Sequence, residues 1–212
     1  LSEQIIRKIE PFRRFLEVAA QMNGQILNYA KIGREAGIEE KSVARYFQII
    51  NDTLIGFFLD PYEYSIRKRQ TQKAKFYFFD LGVTRALQNS LTLEVLPQTT
   101  TYGGLFEHFF ILECFRLNDY FEKRYRFSYL RTKDNLEVDL IIERPGQALQ
   151  LIEIKSKDKI FEEDCRSLIT ISNNFKLPLQ SMMVSNQKQS SKIEKVECYH
   201  WTEALNKIFN SP

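Results

Sequence analysis

The sequence predicts an α/β protein in two parts: a winged helix-turn-helix over residues 1–80 and, over 81–212, an α/β domain with a central mixed sheet. Three observations predict it. Apolar residues recur at helical spacing on both sides of a Gly-containing turn in the first 52 residues. An apolar strand, a basic loop and an aromatic strand follow. Beyond residue 100 the elements run α-β-β-β-α-β, the order expected of a sheet covered by helices.

In the first part, "PFRRFLEVAAQM" sets Phe12, Phe15, Leu16 and Ala19 on one helical face, with Pro11 suited to a first helical position. Asn28 can cap a short helix and Gly37 can end it in the left-handed conformation. "IEEKSVARYFQIINDTL" then places Val43, Phe47 and Ile50 on the face of a second helix. In a winged helix this second helix enters the major groove and the hairpin touches the backbone. Lys41, Ser42, Arg45 and Tyr46 open the would-be recognition helix, and Arg67, Lys68, Arg69, Lys73 and Lys75 load the hairpin loop. Residues 1–75 hold 13 Lys/Arg against 9 Asp/Glu, while the remainder holds 17 against 18. The excess is small and local, which allows DNA contact by one patch without requiring it. Helix-turn-helix units also dock proteins, and that reading stays open.

The second part opens with "YGGLFEHFFILECF", apolar nearly all round and so a buried helix starting at Gly103–Gly104, with Glu107 in its first turns. "YRFSYLR", "LEVDLII" and "LQLIEIK" read as strands, "FEEDCRSLITISNNF" as a helix, "QSMMVS" and "VECYHW" as strands and "TEALNKIF" as a closing helix. By alternation Leu136, Val138, Leu140 and Ile142 face one way and Glu137, Asp139, Ile141 and Glu143 the other, while Glu153 and Lys155 share a face on the next strand. A three-residue loop of Pro145, Gly146 and Gln147 would set Asp139 opposite Glu153 and Glu137 opposite Lys155; a slip of one residue would part them. Facing carboxylates repel unless a cation sits between them. A magnesium ion takes a few carboxylate oxygens, keeps waters and leaves room for a phosphate. Lys155 could then orient the attacking water or stabilise charge on a phosphate, the arrangement expected of metal-dependent phosphodiester cleavage. Glu107 could add a carboxylate to the metal or pair with Lys155. The same letters on an exposed sheet face also arise as simple ion pairs.

Composition limits the alternatives. The 43% hydrophobic content is ample for packed cores. No run of about eighteen apolar residues suggests a membrane span, and no apolar leader is visible, so a cytoplasmic protein is expected. Cys114, Cys165 and Cys198 are odd in number, far apart and set among apolar neighbours, which reads as buried free thiols. A chain opening on Leu suggests a fragment of a longer one, though processing could give the same start.

The stretches "FRRFLEVAAQMNGQILNYAKIGREAGIEEKSVARYFQIINDTLIGFFLDPY", "KFYFFDLGVTRAL", "GGLFEHFFILECF", "EVDLII" and "IEIKSK" are spread over residues 12–157, most of the length of the chain. On them it resembles the C-terminal region, a domain of unknown function, of bacterial and archaeal AAA+-type ATPases. "KFYFFDLG", with Asp80 capping the helix from Leu81, is the most specific of these stretches. The resemblance implies a winged helix before a PD-(D/E)XK restriction-endonuclease-like domain. It implies Glu107 as the helical acid, Asp139 and Glu153 as ligands of Mg²⁺ or Mn²⁺, and Lys155 as the catalytic lysine. It also implies an ATPase module as partner, with an oligomer and DNA as further expectations and no membrane. No G-x-x-x-x-G-K-[ST] stands in this chain. Two functions are therefore expected: DNA cleavage by a metal-dependent nuclease-like domain, or a silent module that recognises DNA or protein and regulates the ATPase.

Overall fold

The computed structural model of the chain describes residues 9–62 and 73–210. Two compact units form, Leu1–Leu59 with Thr71–Glu94, and Asp60–Gln70 with Val95–Pro212. Arg67, Lys68 and Arg69, expected on the hairpin loop, lie outside the described residues.

The first unit carries α1 (Ile9–Gln21), α2 (Tyr29–Ala36), α3 (Glu40–Asp52), a hairpin of β1 (Gly56–Pro61) and β2 (Lys75–Phe78), and α4 (Leu81–Leu87). Pro11 falls within the first described turn of α1. The caps are the ones their residues dictate. Asn28 accepts the Lys31 N–H at 3.0 Å, Gly37 closes α2 with φ 67°, and Asp80 accepts the Val83 N–H at 2.9 Å to start α4. Val43, Phe47 and Ile50 point α3 inward, where the Phe47 ring stands edge-on to Phe15 and Phe76, each with centroids 4.9 Å apart. Gly56 lies so close to β2 that a Cβ there would come within 2.7 Å of the Tyr77 carbonyl oxygen.

The second unit runs α5 (Thr100–Tyr120), β3 (Arg126–Arg131), β4 (Glu137–Glu143), β5 (Leu149–Ile154), α6 (Glu162–Asn173), β6 (Leu179–Ser185), β7 (Ser191–Ile193), β8 (Val196–His200) and α7 (Trp201–Phe209). Its strands lie in the order β3-β4-β5-β6-β8-β7, with Asp60 and Pro61 pairing in parallel beside Ser128 and Tyr129. The pairs β3–β4, β4–β5 and β7–β8 are antiparallel, while β5–β6 and β6–β8 are parallel. Every residue of β5 is buried, as befits a central strand covered on both faces. One core joins α6 to the sheet through Cys165, Leu168 and Ile171 against Val138, Ile141, Leu151, Met183 and Val196. Helices α5 and α7 pack on each other, α5 also against β5 and α7 against β6 and β8. The three cysteines are free and buried. No described helix is long and apolar enough to cross a membrane.

Three details depart from the sequence reading. Helix α5 begins at Thr100, ahead of the glycines, because Thr99 caps it by accepting the Tyr102 N–H at 3.2 Å. Strand β7 has no apolar periodicity and exists by pairing with β8 across a turn that holds Glu194 at φ 49°. Lys75, expected on the loop, is buried in β2 opposite Leu59, and Lys73 lies over the Tyr29 ring at 5.5 Å.

Candidate active site

The site is built where β4 and β5 part. Their ladder pairs Ile142 with Gln150, Ile141 with Leu151 and Leu140 with Ile152. That is the register set by the Pro145–Gln147 loop, where Gly146 takes φ 73°. One step further would set Asp139 against Glu153, but there the ladder ends.

A bulge explains the parting. Ser128 faces Ile141 and Leu130 faces Val138, so Tyr129 alone on β3 stands opposite both Asp139 and Leu140 on β4. The extra residue breaks the alternation, and Val138 and Ile141, which strict period two puts on opposite faces, enter the same core. The expected two-faced pattern of β4 is thus corrected at its centre. Lys155 gives its N–H to the Val184 carbonyl on β6 at 2.9 Å, so the N–H of Ile154 points the other way, toward β4. There it meets a side chain instead of a backbone carbonyl: the Asp139 Oδ2 accepts it at 2.8 Å.

Glu153 and Lys155 stand at the same end of β5. Glu153 is 6% exposed, its Oε1 lies 2.6 Å from the Lys155 Nζ, and its Oε2 is buried with no hydrogen-bond partner. Burial pushes the Glu153 carboxyl above its usual range; Lys155 opposes the shift, and the charges of Glu107 and Glu137 add to it. Burial works to lower Lys155, but Glu153, Asp139 and Glu107 outweigh it and hold the ammonium above its ordinary value. Three carboxylates from β4, β5 and α5 therefore converge in their field on one cation. Among the described residues, no group of three or more His, Cys, Asp or Glu side chains is placed to share a metal ion. The oxygen in contact with Lys155 is the Glu153 Oε1; Asp139 and Glu107, the latter half-buried on α5, act on Lys155 through their charges, and Glu107 acts on Glu153 as well.

Residues not singled out from the sequence hold this end in place. Asn186, just past β6, donates to the Tyr102 hydroxyl at 3.3 Å and to the Ser156 carbonyl at 3.4 Å, while its own N–H bonds the Lys157 carbonyl at 2.9 Å. The start of α5 and the segment after Lys155 are thereby joined. Glu137, which the sequence set opposite Lys155, lies beyond the end of the β4–β5 ladder and pushes the Glu153 carboxyl up through its charge.

On the first unit, Lys41 and Arg45 are exposed along α3 and Ser42 is half-buried. The ring of Tyr46 is spent on packing, edge-on to Phe12 at 5.1 Å and tilted against Phe15 at 5.3 Å.

Comparison with known proteins also divides the chain in two. Residues 2–94 match the family model of a domain of unknown function (DUF8612), and residues 102–204 match that of a second domain of unknown function (DUF4143). The first match ends at Glu94, where the first unit ends, and the second begins at residue 102; residues 60–70, which belong to the second unit, fall within the first match. Two uncharacterized proteins, from Mycobacterium bovis and Mycobacterium tuberculosis, are each 26% identical over 138 residues, 64% of this chain. The chain spans 30% of the length of each. A solved half-complex of Thermococcus gammatolerans McrB AAA+ hexamers with bound McrC contains a chain that is 10% identical. The likeness covers 93% of this chain and 52% of that one at a TM-score of 0.35, too loose to carry an argument.

Proposed function

We propose that the second unit is a nuclease-like module of the PD-(D/E)XK type, and that the first is a winged helix that recruits DNA. Both would belong to a longer polypeptide carrying an AAA+-type ATPase. The observation that carries this reading is the end of β5: a buried, unpartnered Glu153 oxygen, the Asp139 carboxylate at the bulge, and a charged Lys155.

An orphaned carboxylate oxygen in a buried place calls for a cation. Asp139 and Glu153 would hold Mg²⁺ or Mn²⁺, since such an ion needs only one or two carboxylates and completes its shell with water and phosphate. When bound, the ion would polarise a phosphodiester and acidify a coordinated water. The rest falls to the chain. Lys155 gives one N–H to Glu153, and an ammonium has three, so it can also orient a water or hold a phosphate oxygen. Glu107 helps to keep Lys155 protonated for that task. The bracket of Asn186 fixes the backbone on either side of Ser156, and Lys155 stands next to it. Helix α3 offers Lys41 and Arg45 as phosphate contacts from the first unit.

A second reading has one observation in its favour. The 2.6 Å contact of Lys155 with Glu153 already supplies a counter-charge, so the pair could be purely structural in a silent recognition module that regulates the ATPase. Calorimetric titration of Mg²⁺ and Mn²⁺ into the wild-type chain and into Asp139→Ala, with a cleavage assay on labelled duplex, separates the two. Binding lost in the variant together with wild-type cutting supports the nuclease. Absence of binding in the wild type refutes it.

A further inference from the structure

Helix α5 ends in a turn that the backbone disfavours. Glu122 and Arg124, neither of them glycine, take left-handed conformations at φ 51° and 56°. Asn118 holds the turn closed. Its Oδ1 accepts the Tyr125 N–H at 2.8 Å, its Nδ2 donates to the Tyr125 carbonyl at 3.4 Å, and its carbonyl accepts the Lys123 N–H at 3.0 Å.

What this pinned turn displays is aromatic and basic. Tyr120 is 80% exposed and Phe121 41%, with their rings edge-to-face at 5.0 Å. Neither Lys123 nor Arg124 has a carboxylate partner among the described residues. Arg126 is mostly exposed and only loosely paired, 3.9 Å from Glu143. One residue beyond Glu143, Arg144 is buried with its Nε unpartnered, adding a further positive charge at this end of the sheet. Asp119 and Glu122 lie in the same stretch, so cations exceed carboxylates there without forming a uniform field.

An exposed ring beside unpaired cations suits a chain that has bare bases and phosphates. A duplex keeps its bases stacked inside, and an apolar protein surface would gain little from a ring pair bordered by charges. We propose that the Tyr120–Arg126 turn binds single-stranded nucleic acid, a base stacking on Tyr120 and phosphate oxygens held by Lys123 and Arg124. Along α5 the turn lies about 20 Å from Glu107, so the contact is separate from the carboxylate site and does not depend on its cutting.

The test is fluorescence anisotropy of a labelled oligothymidylate and of a duplex, with EDTA present so that no cleavage can occur. It compares the wild-type chain, Tyr120→Ala, the pair Lys123→Ser with Arg124→Ser, Lys192→Ser and Arg45→Ala. Loss of one stacked base at Tyr120 should weaken single-strand binding about tenfold. The paired substitution should flatten the salt dependence by about 1.4 in log–log slope. Lys192→Ser, an exposed lysine on β7 at the opposite edge of the sheet from β3, should change neither, which shows that the losses are local to the turn. Exposure of Tyr120 makes a folding defect an implausible cause, and circular dichroism of each variant checks it. No single-strand binding in the wild type, unchanged affinity in Tyr120→Ala, or loss only in Arg45→Ala overturns the proposal.

Discussion

Replacing Lys155 by Met removes the cation from a buried carboxylate and leaves its shape nearly intact. Glu153 would then be charged, 6% exposed and without its 2.6 Å partner. Breaking a fully buried pair this way costs about 3–5 kcal/mol. The Lys155 side chain is 38% exposed, so water can screen part of the loss, and about 1–3 kcal/mol is the reasonable expectation. The pH dependence identifies the cause. Glu153 already sits above its usual range because of burial, and without Lys155 it must rise further. A carboxyl whose folded pKa exceeds its unfolded value binds protons more tightly in the native state, so stability falls as pH rises between the two. The variant should therefore match the wild type below about pH 4, where Glu153 is protonated in both, and fall behind toward neutral pH. Thermal melts of the two proteins from pH 4 to 8 read this out, at about 2–4 °C per kcal/mol for a chain of this size. Adding Glu153→Gln to the variant should restore most of the loss at neutral pH. A deficit that is the same at every pH would refute the reasoning, since it would come from lost packing and not from a stranded charge.

Other outcomes follow from the same structure. Asp139→Ala strands the buried Ile154 N–H and should cost about 1–3 kcal/mol by urea unfolding, whereas Asp139→Asn keeps an acceptor and should cost much less. The wild type itself should lose the contribution of Lys155 only in strong alkali, because a lysine held above its unfolded value keeps its stabilising effect below about pH 10. Asp80→Ala removes the cap of α4 and should cost about 1 kcal/mol, seen as a lower melting temperature of the first unit. Lys41→Ala with Arg45→Ala should leave stability within about 0.5 kcal/mol and reduce the salt slope of duplex binding by about two. An unchanged slope would point α3 toward a protein partner.

What could be read from the sequence was local. Asn28, Gly37 and Asp80 announce their caps because each satisfies backbone groups within a few residues of itself. The register of β4 on β5 was legible for a similar reason: a short loop with Gly146 leaves few ways to bring two apolar runs together. The bulge was not legible, since neither Asp139 nor Leu140 differs from an ordinary strand residue, and the count of two against one is set by β3. Lys75 looked like a loop residue by its charge and was buried by the strand around it. The reach of Asn186 to Tyr102 joins residues far apart in the chain, and no local pattern could have named that partner. Glu107, Asp139, Glu153 and Lys155 could be nominated as letters; that Asp139 would take a backbone donor, and Glu153 keep a bare oxygen, could not.

The bulge also changes what a substitution in β4 means. Parity is reset at its midpoint: below the bulge an even-numbered position, Val138, packs beneath α6, and above it an odd-numbered one, Ile141, does so. A polar residue tolerated at one half of the strand therefore says nothing about the position two or four residues along. Removing one residue at the bulge would let the two strands run on in step and would leave Val138 and Ile141 two positions apart, on the same face and in the same core. The bend at the carboxylates is thus separable from the core of the sheet: a single deletion at positions 139–140 would take the bend and keep the packing beneath α6.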